Sequence, residues 1–406
     1  MNLILKDLEY KIFIFLPFLS SFFPPQFIYI SSFLSISIGI NILFNQKVKL
    51  KINFELILLF LGLLFSQIVT LFNLTNSDTF FISNKALITQ LGFIVQFVVC
   101  ILLVNTNFKL DFLKKLFGTI RDNLIILSFL NFIICFLALD QEYQGATSWP
   151  SLVTFLYALS DRYLKRETKI FTLVLSLITI IIASKRATIL SLIISLIIYN
   201  FYNIRNYINS INLFIKKLSI KKSIILIVLI LFISCFSFYV NREIIFIRLF
   251  KLKDTLDIIL NNSTLNKEVQ LQLLTGGRNL ELKYFLEGLN LSFTNLLTKI
   301  TTTGIGIGWT NVVTLQASFH NSFILISLVG GLPWLTLCLR IILVSLQNLY
   351  INFTLHKEIK EISRTSCLIS LALFIDAFFS ANFAASFTSL LLFVSPLCLL
   401  EKKFSS

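Results

Sequence analysis

Runs of Leu, Ile, Phe and Val recur from one end of this chain to the other, separated by short polar or basic stretches. A helix needs about 20 apolar residues to cross the hydrocarbon core of a bilayer. Runs of that kind lie near 12–23, 27–44, 54–73, 86–104, 123–139, 149–161, 168–183, 187–202, 223–240, 333–352, 365–379 and 382–400. The pattern predicts an all-α, polytopic integral membrane protein with about 12 transmembrane helices. The first run ends before Pro24 and Pro25 without a small-residue cleavage site, which predicts a retained span rather than a signal peptide. Four regions follow: N-terminal transmembrane helices over 1–145, central ones over 146–240, a large loop over 241–319 and C-terminal transmembrane helices over 320–406.

The polar stretches between runs alternate in charge. Lys47, Lys49 and Lys51 fill one loop, Lys109, Lys114, Lys115 and Arg121 another, and DRYLKRETK a third, with Arg205, Lys216, Lys217, Lys221 and Lys222 beyond. The intervening stretches carry almost no Lys or Arg, as in DQEYQGATSW. Because basic loops stay on the cytoplasmic side, this alternation places both termini inside and the large loop outside.

Composition agrees with the class and removes a competing one. Hydrophobic residues make up 56% of the 406 residues and charged residues only 14%, outside the usual range of soluble domains. The net charge of +15 sits in alternating loops, so it reports topology and contact with membrane lipid, and nucleic acid is not an expected partner. The abundance of Phe, Ile, Asn and Lys is the signature of an AT-rich coding sequence and carries no functional weight. Cys100, Cys135, Cys235, Cys338, Cys367 and Cys398 all lie in or beside apolar runs, where cysteine acts as a small buried hydrophobe rather than a disulfide or metal ligand.

Two outward places break the charge asymmetry: the turn SKR at 184–186 and the large loop. A cation near hydrocarbon is costly, and an anionic ligand on the outer side offsets that cost. Within the loop, EIIFIRLFKLKDTLDIIL (243–260) and NLELKYFLEGL have amphipathic helical spacing suited to lying in the membrane interface. Gly276 and Gly277 precede Arg278 at the start of the second run. Exposed backbone N–H groups at a helix start and a guanidinium fork both suit a phosphate, while a plain amphipathic lid accounts for the periodicity equally well. TGIGIGW (303–309) lacks the lysine and the βαβ setting of a nucleotide-binding loop, so it predicts a tight turn with close backbone packing. His320 and Asn321 then open an apolar stretch too long for one straight crossing, with a break expected at Gly330, Gly331 and Pro333. At a helix start, a histidine serves either as a cap or as a functional base. His356, in HKEIKEISR, is a solvated loop residue.

The order of SKRAT (184–188), TGGRN (275–279), GIGIGW (304–309) and HNSFILISLVGG (320–331) resembles the O-antigen ligase and O-antigen polymerase superfamily over roughly residues 145–380. The resemblance implies a metal-independent, cofactor-free inverting glycosyltransferase of the inner membrane with its active site facing the periplasm. Its donor is a glycan on undecaprenyl diphosphate, and the glycan passes to an acceptor sugar hydroxyl during surface polysaccharide or lipopolysaccharide biosynthesis. The resemblance assigns Arg186 and Arg278 to the donor diphosphate and His320 to the base, with Lys185, Gly277 and Asn321 in support. Lys185 competes with Arg186 for the first contact, and Arg186 is favoured because Ala187 and Thr188 follow it in register.

These residue types suit the chemistry. Fixed cations stabilise the negative charge of a departing diphosphate, and a neutral imidazole accepts the proton of an attacking hydroxyl. Lipid A core as acceptor makes the protein a ligase, and a lipid-linked repeat unit makes it a polymerase; the residues leave both open. A flippase or exporter of lipid-linked oligosaccharide is the competing class, although such proteins more often show interrupted helices in both halves, and here the glycine-proline break occurs near 330–333.

Overall fold

A computed structural model describes residues 10–12, 15–16, 26–45, 52–75, 84–137, 147–183, 185, 187–199, 292–308, 322–350, 357–378 and 386–400. Among the described residues the regular structure is helical throughout. In chain order the helices are α1 (Gln26–Asn45), α2 (Phe54–Thr75), α3 (Asn84–Val104), α4 (Lys109–Asp122), α5 (Leu124–Leu137), α6 (Ser148–Ser160), α7 (Arg166–Ala183), α8 (Ala187–Tyr199), α9 (Phe293–Ile300), α10 (Ser322–Tyr350), α11 (Lys357–Phe378) and α12 (Phe387–Val394). A 3₁₀ turn, Ser395–Leu399, follows α12.

Two of these helices, α2 and α10, are long and apolar enough to cross a membrane, and the bent pair α4 and α5 adds a third if counted as one span. α2 leaves Phe60, Leu64, Ile68, Leu71 and Phe72 exposed along one stripe. Such a contiguous apolar face is unfavourable in water and suits lipid. Its opposite face packs on α10, and α10 packs in turn on α11. The predicted runs 223–240 and most of 12–23, and the amphipathic runs of the large loop, lie outside the described residues.

α10 holds the feature on which the core is built. Its 29 residues would span about 43 Å as a straight helix, but Gly331 interrupts it at φ 59°, ψ −151°, a conformation open essentially to glycine alone. The break falls where Gly330, Gly331 and Pro333 predicted it. Leu328 O and Leu332 N, on either side of the break, both hydrogen-bond outside α10. The strap 301–308 supplies the partners: Ile305 N donates to Leu328 O at 2.7 Å, and Leu332 N donates to Thr302 O at 2.9 Å. Gly304, at φ 75°, is forced by the same approach, because a Cβ there would lie 2.4 Å from Leu328 O. The strap is anchored further by Ile307 N donating to Thr70 Oγ1 and Gly308 N donating to Gln90 Oε1, both at 2.8 Å. The close backbone packing expected of TGIGIGW is therefore directed at α10, α2 and α3.

Below the break, Trp334 fills the space left by Gly62 and Gly330, each of whose absent Cβ would fall about 2 Å from the indole. Its Nε1 donates to Leu59 O at 3.1 Å, and its ring meets Phe97 edge-on at 4.8 Å.

α6 is the axle of the other half. All its residues are buried, and every third one carries a hydroxyl: Ser148, Ser151, Thr154, Tyr157 and Ser160. A step of three residues turns about 300° around a helix, so the hydroxyls wind round α6 and meet different neighbours. Ser148 meets Thr188 of α8, Ser151 meets Asn131 of α5, and Thr154 meets Ser176 of α7. Tyr157 Oη donates to Phe117 O of α4, and Ser160 meets Thr365 of α11. Such bonds join apolar helices that have little hydrophobic reason to associate within lipid.

The basic stretch 109–122, expected as a loop, is the amphipathic helix α4. Phe112, Leu113, Leu116, Phe117 and Ile120 form its buried face, and the chain bends 63° between it and α5. Lys114 and Lys115 stay exposed while the apolar stripe docks on the bundle, which satisfies both halves of the pattern.

Replacing Gly331 with Ala is expected to destabilise the protein by at least about 2–4 kcal/mol, from the disallowed backbone and the clash with Thr302. Thermal unfolding of the detergent-purified protein, with Gly92→Ala at an open site as the control, measures it.

Candidate functional site

The turn that joins α7 to α8 meets the last turns of α11 around one carboxylate. Asp376 is fully buried, in a segment where an uncompensated charge is strongly disfavoured. Lys185 Nζ lies 3.9 Å from its Oδ2, and Thr188 Oγ1 donates to its Oδ1 at 2.9 Å. Thr188 Oγ1 also lies 3.1 Å from Ser148 Oγ at the start of α6. Ile189 N donates to Lys185 O at 3.1 Å, so Lys185 opens α8. The carboxylate consequently faces a helix N-terminus, where the backbone dipoles favour negative charge. The lysine side chain keeps 21% exposure, so its ammonium is held by Asp376 yet remains within reach of the surface.

Phe323, in the first turn of α10, packs on the same end of α11. Its ring lies 5.2 Å from Phe374 edge-on and 5.0 Å from Phe378 in a stacked arrangement, and Phe374 meets Phe378 at 4.9 Å. α11 thus gathers two motifs predicted to act together: SKRAT through Lys185 and Thr188 on Asp376, and HNSF through Phe323 on Phe374 and Phe378. Of the predicted site residues the structure places Lys185. Arg186, Gly277, Arg278, His320 and Asn321 lie outside the described residues.

The opposite end of the bundle carries a separate set of charges. Arg121 pairs with Asp161 at 3.2 Å, and Arg162 with Glu361 at 3.9 Å. Lys169 Nζ donates to Leu159 O at 3.1 Å and to Asp161 O at 3.3 Å, a favourable place for a cation at the C-terminal end of α6. Glu361 and Asp376 stand on the same helix, about 22 Å apart along its axis. The two polar clusters therefore mark the two ends of the bundle. Elsewhere, Arg340 of α10 is paired with the buried Glu55 of α2 and lies 5.3 Å from the ring centroid of Phe54.

Asp376 was not among the residues singled out from the sequence. A signal for it exists: it is an ionisable residue inside the run 365–379, and such a residue is by default a partner for another polar group. What the chain does not spell out is that the partner comes from SKRAT. No family model matches the chain, and no curated protein matches it significantly.

Asp376→Asn is expected to cost about 2–4 kcal/mol of stability, because Lys185 loses its counter-charge. Combining it with Lys185→Met should recover a large part of that loss. A double-mutant cycle on thermal unfolding reads the coupling, and strictly additive effects would mean that the pair is not an energetic unit.

Proposed function

We propose that this chain is an O-antigen ligase-type glycosyltransferase, a polytopic protein of the inner membrane with about 12 spans, both termini in the cytoplasm and its active site facing the periplasm. It moves a glycan from undecaprenyl diphosphate to a sugar hydroxyl of lipid A core. The observation that carries the reading is that the SKRAT turn, through Lys185 and Thr188 on the buried Asp376, and the HNSF helix start, through Phe323 on Phe374 and Phe378, both reach the same end of α11. That end is opposite the cluster formed by the basic stretches 109–122 and 161–169, which fits an outward-facing site under the positive-inside rule.

In this reading Arg186 and Arg278 hold the donor's diphosphate. Lys185, fixed by Asp376, adds positive potential beside them and keeps the turn in place. The transition state gains negative charge on the departing diphosphate, and cations already fixed before reaction stabilise it without reorganisation. His320 takes the proton from the acceptor hydroxyl as the new glycosidic bond forms and the bond to diphosphate breaks. Attack from the face opposite the leaving group inverts the anomeric centre. Asn321 and Gly277 support the histidine and the arginine. A polymerase of the same superfamily would share this diphosphate chemistry and differ in its acceptor.

Transfer measured with purified protein, undecaprenyl-diphosphate glycan and lipid A core is expected to fall at least about 100-fold in His320→Ala. Arg278→Lys should lose a comparable factor, because it keeps the charge but removes the two-pronged donor. Full activity in His320→Ala would eliminate it as the base. Replacing lipid A core with a lipid-linked repeat unit should abolish transfer, whereas retained transfer would make the protein a polymerase.

A further inference from the structure

The end of the bundle remote from Asp376 contains a cleft of about 690 Å³ lined by Lys114, Gly118 and Arg121 of α4, Tyr157 of α6, Asp161 and Tyr163 of the following turn, and Glu361, Ile362 and Thr365 of α11. Lys114, Gly118 and Arg121 are spaced four and three residues apart, so they form one stripe of α4 facing the opening. Gly118 leaves the stripe hollow, since a Cβ there would meet nothing within 4 Å.

The charges around the cleft are unequal. Asp161 is neutralised by Arg121, and Glu361 by Arg162, while Lys169 caps the backbone at Leu159 and Asp161. With Lys114 included, and with Asp122 also acting on Tyr157, four cations stand against three carboxylates among the described residues around the cleft. Arg121 meets Asp161 through Nε and is 42% exposed, which leaves a guanidinium with five N–H donors more than one bond to offer an anion. One further atom has an unmet requirement: Glu361 Oε2 is buried without a hydrogen-bond partner. Leaving a buried carboxylate oxygen unmatched is costly, and a hydroxyl donor satisfies it without adding charge.

We propose that this cleft is a binding site for a phosphodiester carrying a hydroxyl-rich head group, with the phosphate held by Lys114 and Arg121 and a head-group hydroxyl donated to Glu361 Oε2. A phosphatidylglycerol lipid at the membrane surface has this chemistry, and so does soluble glycerol phosphate. α4 fits the lipid source, because its apolar face docks on the bundle while Lys114 and Lys115 stay at the surface. The site is independent of the proposed glycosyl transfer and lies at the other end of the protein.

The test uses the full-length protein in detergent and native mass spectrometry with phosphatidylglycerol, phosphatidic acid and phosphatidylcholine added singly. Phosphatidylglycerol is expected to bind most tightly, with phosphatidic acid weaker for want of the head-group hydroxyls and phosphatidylcholine weakest. Lys114→Gln should weaken phosphatidylglycerol roughly five- to ten-fold, while Lys115→Gln, at an exposed position of α4 outside the lining, should leave it unchanged. Gly118→Leu should abolish binding by filling the hollow, and a matched unfolding temperature for that variant would show that the loss is local. Displacement of the lipid by millimolar glycerol phosphate would support the site and identify the soluble source. Equal binding of all three lipids, or equal effects of Lys114→Gln and Lys115→Gln, would overturn it.

Discussion

A backbone broken inside an apolar environment must have its freed N–H and C=O groups satisfied from elsewhere in the protein. α10 meets this constraint at Gly331, and much of the surrounding structure follows from how it does so. The strap 301–308 presents its own backbone to both sides of the break, and it can come that close because glycine stands at 304 and 331. The strap is then fixed by Thr70 of α2 and Gln90 of α3. One irregularity thus ties four segments into a single packing unit, and Trp334 locks the lower half of α10 against Leu59 and Phe97.

The same constraint explains why side-chain hydroxyls are so frequent in the buried core. In lipid the hydrophobic effect gives little reason for one apolar helix to prefer another. α6 solves the problem with a hydroxyl at every third position, each aimed at a different neighbour. Its topmost contact, Ser148 with Thr188, belongs at once to this framework and to the cluster around Asp376. The position of the SKRAT turn is therefore set by the packing of α6, not by the turn alone.

Hydrophobic runs made the all-helical class and most helix locations legible, and the glycine-proline triplet in α10 located its break. Length was less legible: the run at 149–161 reads as a span, yet α6 has 13 residues and all are buried, about 20 Å of helix. A run that is apolar on every side looks the same whether lipid or protein surrounds it. The helix α4 was hidden for the opposite reason, since its many lysines and single arginine suggested a loop, although Phe112, Leu116 and Ile120 repeat at four-residue spacing. For the candidate site, order along the chain pointed to SKRAT and HNSF, and the fold adds Asp376, the carboxylate that Lys185 and Thr188 of SKRAT contact. Asp376 is 188 residues from Thr188. No local pattern encodes a pairing of that separation, because it is a property of how helices stack.

Electrostatics explains why a lysine suits position 185 on the proposed reading. An arginine at that point would be drawn into a two-pronged bond with Asp376. Lysine holds the same carboxylate as a point charge at 3.9 Å, leaving Thr188 to supply the directed hydrogen bond. The carboxylate also cancels part of the positive potential of Lys185, which lowers the cost of holding a cation at this largely buried position. On that reading, a diphosphate arriving at the turn would meet the Lys185 ammonium already held by Asp376. Such preorganisation lets charges stabilise a transition state without first having to move. Asp376 in this account acts through Lys185 and Thr188, as a positioning residue whose own contribution is a counter-charge built into α11.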